Sequence, residues 1–61
     1  MVTLTLEGSI VQEGSNLRMS QETLDVPSVA DAMEVVEARL GRPLENWDAL
    51  VVLGNTVWAV V

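Results

Sequence analysis

The stretch VPSVADAMEVVEARLGRP, residues 26–43, carries the clearest structural signal in the chain. Ser28 followed by Asp31 resembles the capping box that begins a helix, and Gly41 is typical of the position just past a helix end. Between these points apolar residues recur at helical spacing, so one side of the helix is expected to face a core. These apolar residues are Val29, Ala32, Met33, Val36 and Leu40. We therefore predict an amphipathic helix over residues 29–40.

A hairpin is predicted before this helix. Residues 2–7 alternate between apolar and polar side chains, which is the period of a half-buried strand. Ile10 is even-numbered, like the apolar residues Val2, Leu4 and Leu6. The strand is therefore expected to continue through a bulge or bend at Gly8–Ser9 to about Gln12. The sequence Glu-Gly-Ser-Asn at residues 13–16 is typical of a turn, so a return strand is expected after it.

The return strand contains two apolar pairs of opposite parity. Leu17 and Met19 are odd-numbered, whereas Leu24 and Val26 are even-numbered. A uniform strand would turn one of these pairs to water. We therefore expect a bulge or a short loop at residues 20–22.

A second hairpin is predicted at the end of the chain. Two β-branched apolar runs, residues 49–53 and 56–61, flank Gly54–Asn55, which is a recognised hairpin signal. The order ββαββ predicts a single α+β domain over residues 1–61, with one helix packed on a mainly antiparallel sheet. Strands that are apolar on both faces are normally buried on both faces. One helix covers only one face, so loops, Trp47 or a second copy of the chain must cover the other.

Composition excludes several functional classes. The chain has no Cys and no His, which removes disulfides, thiolate zinc sites and the commonest general base. Three Arg against nine acidic residues give a net charge of −6, the wrong sign for binding nucleic acid or an anionic membrane. The N-terminus lacks a signal-peptide pattern, and no apolar window reaches the ~20 residues of a membrane helix. A cytoplasmic location is therefore expected.

The sequence offers no set of residues suited to catalysis. The Ser and Thr hydroxyls have no His, Lys or Cys to activate them. Asp31, Glu34 and Glu37 form an acidic stripe on the predicted helix, and an amphipathic helix produces this spacing on its solvated face without any metal. We therefore predict no enzyme activity, no catalytic or metal-binding residues and no cofactor.

Two segments resemble the β-grasp sulfur carriers of thiamine and molybdopterin synthesis. They are residues 22–33, where a strand leads into a capped helix, and residues 49–57, ALVVLGNTV, which form a hairpin. The resemblance implies a β-grasp-like, ubiquitin-like architecture used for docking to protein. Members of that family act through a C-terminal Gly-Gly tail whose carboxylate is adenylated and thiolated. The sequence carries no such tail after Val61, so the resemblance implies carrier activity only for a longer chain.

Three functional hypotheses follow. The first is a non-catalytic protein–protein interaction module that forms a homo-oligomer through its C-terminal apolar hairpin. Its predicted contact residues are Trp47, Val57, Trp58, Val60 and Val61. The second is an acidic inhibitor or mimic, of phage or antitoxin type, that binds a basic or nucleic-acid-binding protein. Its predicted acidic face consists of Asp31, Glu34 and Glu37. The third is a truncated sulfur carrier.

Overall fold

The computed structural model describes the backbone of residues 1–61 and every side chain except those of Ser9 and Val11. Its elements follow the predicted order of strand, strand, helix, strand, strand. They are β1 (Val2–Glu13), β2 (Asn16–Val26), α1 (Val29–Leu40), β3 (Leu50–Leu53) and β4 (Thr56–Val60). The α+β fold class is therefore confirmed, and α1 begins and ends at the predicted residues.

Capping interactions fix both ends of α1. The Ser28 hydroxyl accepts a hydrogen bond from the Asp31 backbone N–H at 3.2 Å and donates one to the Asp31 carboxylate at 2.6 Å. At the other end Gly41 has a left-handed backbone with φ of 74°, and its N–H donates to the Glu37 carbonyl at 2.9 Å. A side chain is disfavoured at this φ, which is why a glycine ends the helix here.

The four strands form one mixed sheet in the order β2-β1-β4-β3. The pairs β1–β2 and β3–β4 are antiparallel hairpins, whereas the two central strands, β1 and β4, run parallel. A parallel pair needs a crossover connection, and α1 supplies it. The sheet is therefore mainly antiparallel, as predicted, and one helix on such a sheet is consistent with a β-grasp-like arrangement.

The hydrophobic core lies between α1 and one face of the sheet. Side chains of directly paired residues share a face, so Leu4 lies on the same face as Leu24 of β2 and Val57 of β4. From the helix, Ala32 and Val36 are fully buried against this face. The buried core consists of Val2, Leu4, Leu6, Val26, Ala32, Val36, Val57 and Ala59.

A β-bulge interrupts the pairing of β1 with β2. Glu7 pairs with Gln21 and Ile10 pairs with Met19, so two residues of β1 stand opposite one residue of β2. The extra residue moves Ile10 to the face opposite the core, where it is 71% exposed. β2 runs through residues 20–22 as a continuous strand, so the bulge or loop predicted there is wrong, and Leu17 and Met19 are exposed instead.

Beyond the bulge, residues 10–19 form a two-stranded distal hairpin. β4 pairs with β1 only as far as Glu7, so this hairpin extends past the four-stranded part of the sheet. Among the described residues no helix is long and apolar enough to cross a membrane.

Candidate protein-binding surface

One group of exposed apolar side chains lies on β3, which forms one edge of the sheet. Val51, Val52 and Leu53 are 47%, 44% and 74% exposed, respectively. Val52 pairs with the core residue Val57 and therefore lies on the helix side, whereas Val51 and Leu53 lie on the opposite face. We call this opposite face the open face, because α1 does not cover it. β3 thus exposes apolar side chains on both of its sides.

The open face continues from β3 onto the central strand β4. Val51 pairs with Trp58, and Trp58 in turn lies beside Thr5 of β1. Val60 has the same parity as Trp58 and lies on the same face. Both side chains are half-buried by their neighbours in the sheet. We refer to Val51, Val52, Leu53, Trp58 and Val60 together as the hairpin surface.

Two of the predicted contact residues belong to the core side instead. Val57 is fully buried beneath α1, and Val61 is partly buried and packs against the same core. Val57 is therefore wrong as a surface contact, because its side chain points toward the helix. Trp58 and Val60 are the predicted residues that reach the open face.

Trp47 lies in the loop between α1 and β3, where 74% of its surface is exposed. The Arg42 guanidinium lies 5.7 Å from the centroid of its ring, which is within range of a cation–π interaction. Trp47 thus belongs to a separate structural element from the hairpin surface, although its loop leads directly into β3.

An ion pair holds this loop together. The Arg42 guanidinium donates to both carboxylate oxygens of Asp48, at 2.8 and 2.7 Å, and the Glu45 N–H donates to the same carboxylate at 2.7 Å. The hydrogen bonds from Arg42, and next the one from the Glu45 backbone, lower the pKa of Asp48 to about 2. The same carboxylate raises the pKa of Arg42. The loop that precedes β3 is therefore built around a charged Asp48.

We expect the Arg42–Asp48 pair to make stability depend on pH between about 2 and 4. The pKa of Asp48 is lower in the folded chain than its ordinary value of 3.8, so its stabilisation is complete above pH 4 and is lost as the pH falls through 2. Asp48→Asn should lower the melting temperature at neutral pH and flatten its dependence between pH 2 and 4. Thermal melts across this range measure both effects. Glu45→Gln is the matched control, and an equal flattening in that variant would contradict the assignment.

The three residues of the predicted acidic face differ in their contacts. Asp31 caps α1 together with Ser28. The Glu37 carboxylate accepts a hydrogen bond from the Leu44 N–H at 2.8 Å, which fastens the loop that follows the helix. Glu34 is exposed to solvent. Two of the three carboxylates therefore have structural roles within the chain.

Most charges of the chain lie away from its hairpin surface, and Glu7 is the exception because it pairs with Val60 on the open face. Each of the three arginines forms an ion pair, Arg18 with Glu13, Arg39 with Glu22 and Arg42 with Asp48. No charged side chain occurs in residues 49–61, so β3 and β4 are uncharged in a chain with a net charge of −6. The acidic surface is thus formed by β1, β2, α1 and the loop after it.

The distal hairpin presents a second group of exposed apolar side chains that the sequence did not reveal. Ile10, Leu17 and Met19 are 71%, 68% and 50% exposed. By the pairing of Ile10 with Met19 they share one face, which continues the open face of the sheet. The sequence predicted the bulge at Gly8–Ser9 correctly, but it kept Ile10 on the face of the preceding apolar residues and placed a second break at residues 20–22, so this exposed face was not predicted.

The described residues offer no metal centre, since no group of three or more His, Cys, Asp or Glu side chains among them could hold an ion. A depression of about 390 Å³ lies along β2, lined by Arg18, Met19, Ser20 and Gln21. It contains no carboxylate.

Comparisons of the chain with protein-family models, curated proteins and solved structures gave no match. The hairpin surface is therefore identified by its geometry and composition alone.

Proposed function

We propose that this chain is a non-catalytic protein–protein interaction module that self-associates through its β3–β4 hairpin. The observation that carries the proposal is the exposure of Val51, Val52 and Leu53 along one sheet edge, next to Trp58 on the open face. A contiguous apolar surface of this kind ordinarily marks an interaction site.

The small core supports this proposal. Among the described side chains, α1 and the sheet bury eight apolar ones, and scaffolds of this size generally gain only about 3–5 kcal/mol from a single core. A compact protein of 6.6 kDa is expected to expose roughly 3,900 Å², whereas this chain exposes 4259 Å². Association that covers the hairpin surface would remove apolar area from water and stabilise the fold at the same time.

The distribution of charge also supports self-association. Like charges brought together across an interface weaken binding, and the nine carboxylates of this chain all lie within residues 7–48. The hairpin of residues 49–61 is the longest segment in which two copies can meet without placing carboxylates against each other. Two copies of an acidic chain repel each other least when they meet through an uncharged surface.

We expect the chain to form a concentration-dependent dimer that Val51→Lys/Leu53→Lys abolishes. These substitutions place two charges on the open side of β3, where they must be desolvated for the copies to meet. Light scattering across a concentration series should give a mass rising from 6.6 kDa to twice that value, and only 6.6 kDa for the variant.

Ile10→Lys/Leu17→Lys is the control, because it adds the same two charges at exposed positions of the distal hairpin. It should leave the dimer intact. A wild-type chain that stays monomeric over the whole concentration range would refute the proposal. Loss of the dimer in the control variant alone would place the contact on the distal hairpin instead.

A second candidate function is the binding of a basic protein. It is favoured by the pairing of all three arginines within the chain, which leaves six carboxylates outside ion pairs in the structure as described. Such binding should weaken steeply as salt is added, because exposed charges are screened within about 10 Å at 0.1 M. Titration of a lysine-rich peptide at low and high salt tests this candidate. Binding that salt leaves unchanged would exclude it.

A further inference from the structure

The hydrogen-bonding groups of β3 alternate between two directions. The Val60 N–H donates to the Ala49 carbonyl at 3.1 Å, so Ala49 and Val60 form a hydrogen-bonded pair. In an antiparallel ladder such pairs alternate with non-bonded ones, and Val51 is therefore bonded to Trp58. The N–H and C=O groups of Leu50 and Val52 point away from β4, toward the outer edge of the sheet. No other strand of the chain lies along that edge.

β3 lacks the features that normally protect a sheet edge. Proteins block such edges with charges, prolines or bulges, and β3 consists of Leu-Val-Val-Leu paired with β4 in continuous register. The other edge, β2, carries Arg18, Glu22 and Asp25. Of the two edges, β3 is the one open to a further strand.

We infer that a second copy of the chain pairs antiparallel along β3, about a two-fold axis that passes beside Val51. This inference rests on the proposed self-association and specifies its geometry. A two-fold axis perpendicular to a sheet relates residues that lie on the same face. Placing Val51 opposite Val51 sets Leu50 of each copy opposite Val52 of the other. In this register the outward N–H and C=O groups of both residues find partners.

Exposure on both sides of β3 favours edge pairing over the stacking of two open faces. Stacking would cover Val51 and Leu53 but leave Val52, which lies on the helix side. A neighbouring strand packs against all three side chains, because it adds residues to both faces of the sheet. The result is a continuous sheet with the two helices on the same side.

A second copy fits this edge better than a charged partner does. The edge has no charged residue to pair with one, and the same four-residue strand supplies matching apolar side chains from the other copy. Four residues make a short contact, so its area falls at the low end of specific interfaces. A reversible dimer is therefore expected rather than a permanent one.

Cysteine cross-linking tests the register, because the natural chain has no Cys. Residues opposite each other in a non-bonded antiparallel pair have Cα atoms about 4.5 Å apart, within the range that a disulfide spans. Val51→Cys should therefore form a disulfide-linked dimer under mild oxidation. Leu53→Cys is the matched control, on the same face of the same strand, yet roughly 13 Å from its own copy in this register. We expect cross-linking at residue 51 to be at least tenfold faster.

Each outcome separates the two proposals. Rapid cross-linking at residue 51 together with a wild-type dimer supports both. A wild-type dimer in which residues 51 and 53 cross-link equally slowly overturns the edge pairing but leaves self-association standing. Fastest cross-linking in a Val52→Cys chain overturns the stated register. A chain that is monomeric in light scattering overturns both.

Discussion

Leu4→Ala is expected to leave most of the chain unfolded at room temperature. Leu4 is fully buried within the core and is paired with Leu24 on one side and Val57 on the other. Removing a buried Leu side chain costs about 2–5 kcal/mol, and the core of a scaffold this small supplies about 3–5 kcal/mol. Circular dichroism and urea denaturation of a dilute sample measure the loss.

Leu17→Ala provides the matched control for this result. The same atoms are removed from a side chain that is 68% exposed on the distal hairpin, so the free energy of unfolding should change by less than about 0.5 kcal/mol. Similar losses in the two variants would mean that the distal hairpin contributes to the folded core, and the division between core and open face would be wrong.

Ala59→Leu is expected to destabilise the chain by overfilling the same core. Ala59 is fully buried on β4 and lies beside Leu6 of β1 on the helix side. A larger side chain has no free volume there and must push α1 away from the sheet, which typically costs about 1–3 kcal/mol. Thermal melts should show a lower transition temperature and a broader transition.

Ala38→Leu tests whether the effect comes from volume in the core. Ala38 lies on the exposed side of α1, and Leu is nearly as favourable as Ala within a helix. Its melting temperature should therefore stay close to that of the unchanged chain. An Ala59→Leu variant as stable as Ala38→Leu would show that the helix can move away from β4 at little cost.

The helix could be predicted to the residue because local interactions determine it. Ser28 supplies the cap at its start and Gly41 the left-handed residue at its end, and both act within one turn. The Gly54–Asn55 turn is equally local, since two residues with turn-forming backbones connect β3 to β4. The element order and the fold class followed from such signals.

Which face of each apolar strand is buried could not be predicted in the same way. Alternation reveals the buried face only when polar residues occupy the other face, and nearly every residue of β4 is apolar. Val57 and Trp58 therefore looked equivalent in the sequence, although one is buried under α1 and the other lies on the open face. Their difference depends on the position of the helix, which is a tertiary effect.

The interactions within the loop before β3 could not be predicted from the sequence either. Arg42 and Asp48 are six residues apart, and no periodic pattern links them. Their ion pair and the cation–π contact with Trp47 arise from the path of the loop. Sequence analysis named Trp47 as a cover for the sheet or a contact residue, but it predicted neither its exposure nor the interactions that shape the loop.

The bulge between Glu7 and Ile10 gives the two ends of β1 different tolerance to insertion and deletion. Residues 3–7 are held in register by strands on both sides, whereas residues 10–13 pair with β2 alone. Because β2 is continuous and fixes the faces of Leu17 and Met19, deleting one residue at the bulge would leave Ile10 opposite Met19 on the open face and the core in place. Loss of a single codon at the bulge is therefore expected to preserve both surfaces of the chain.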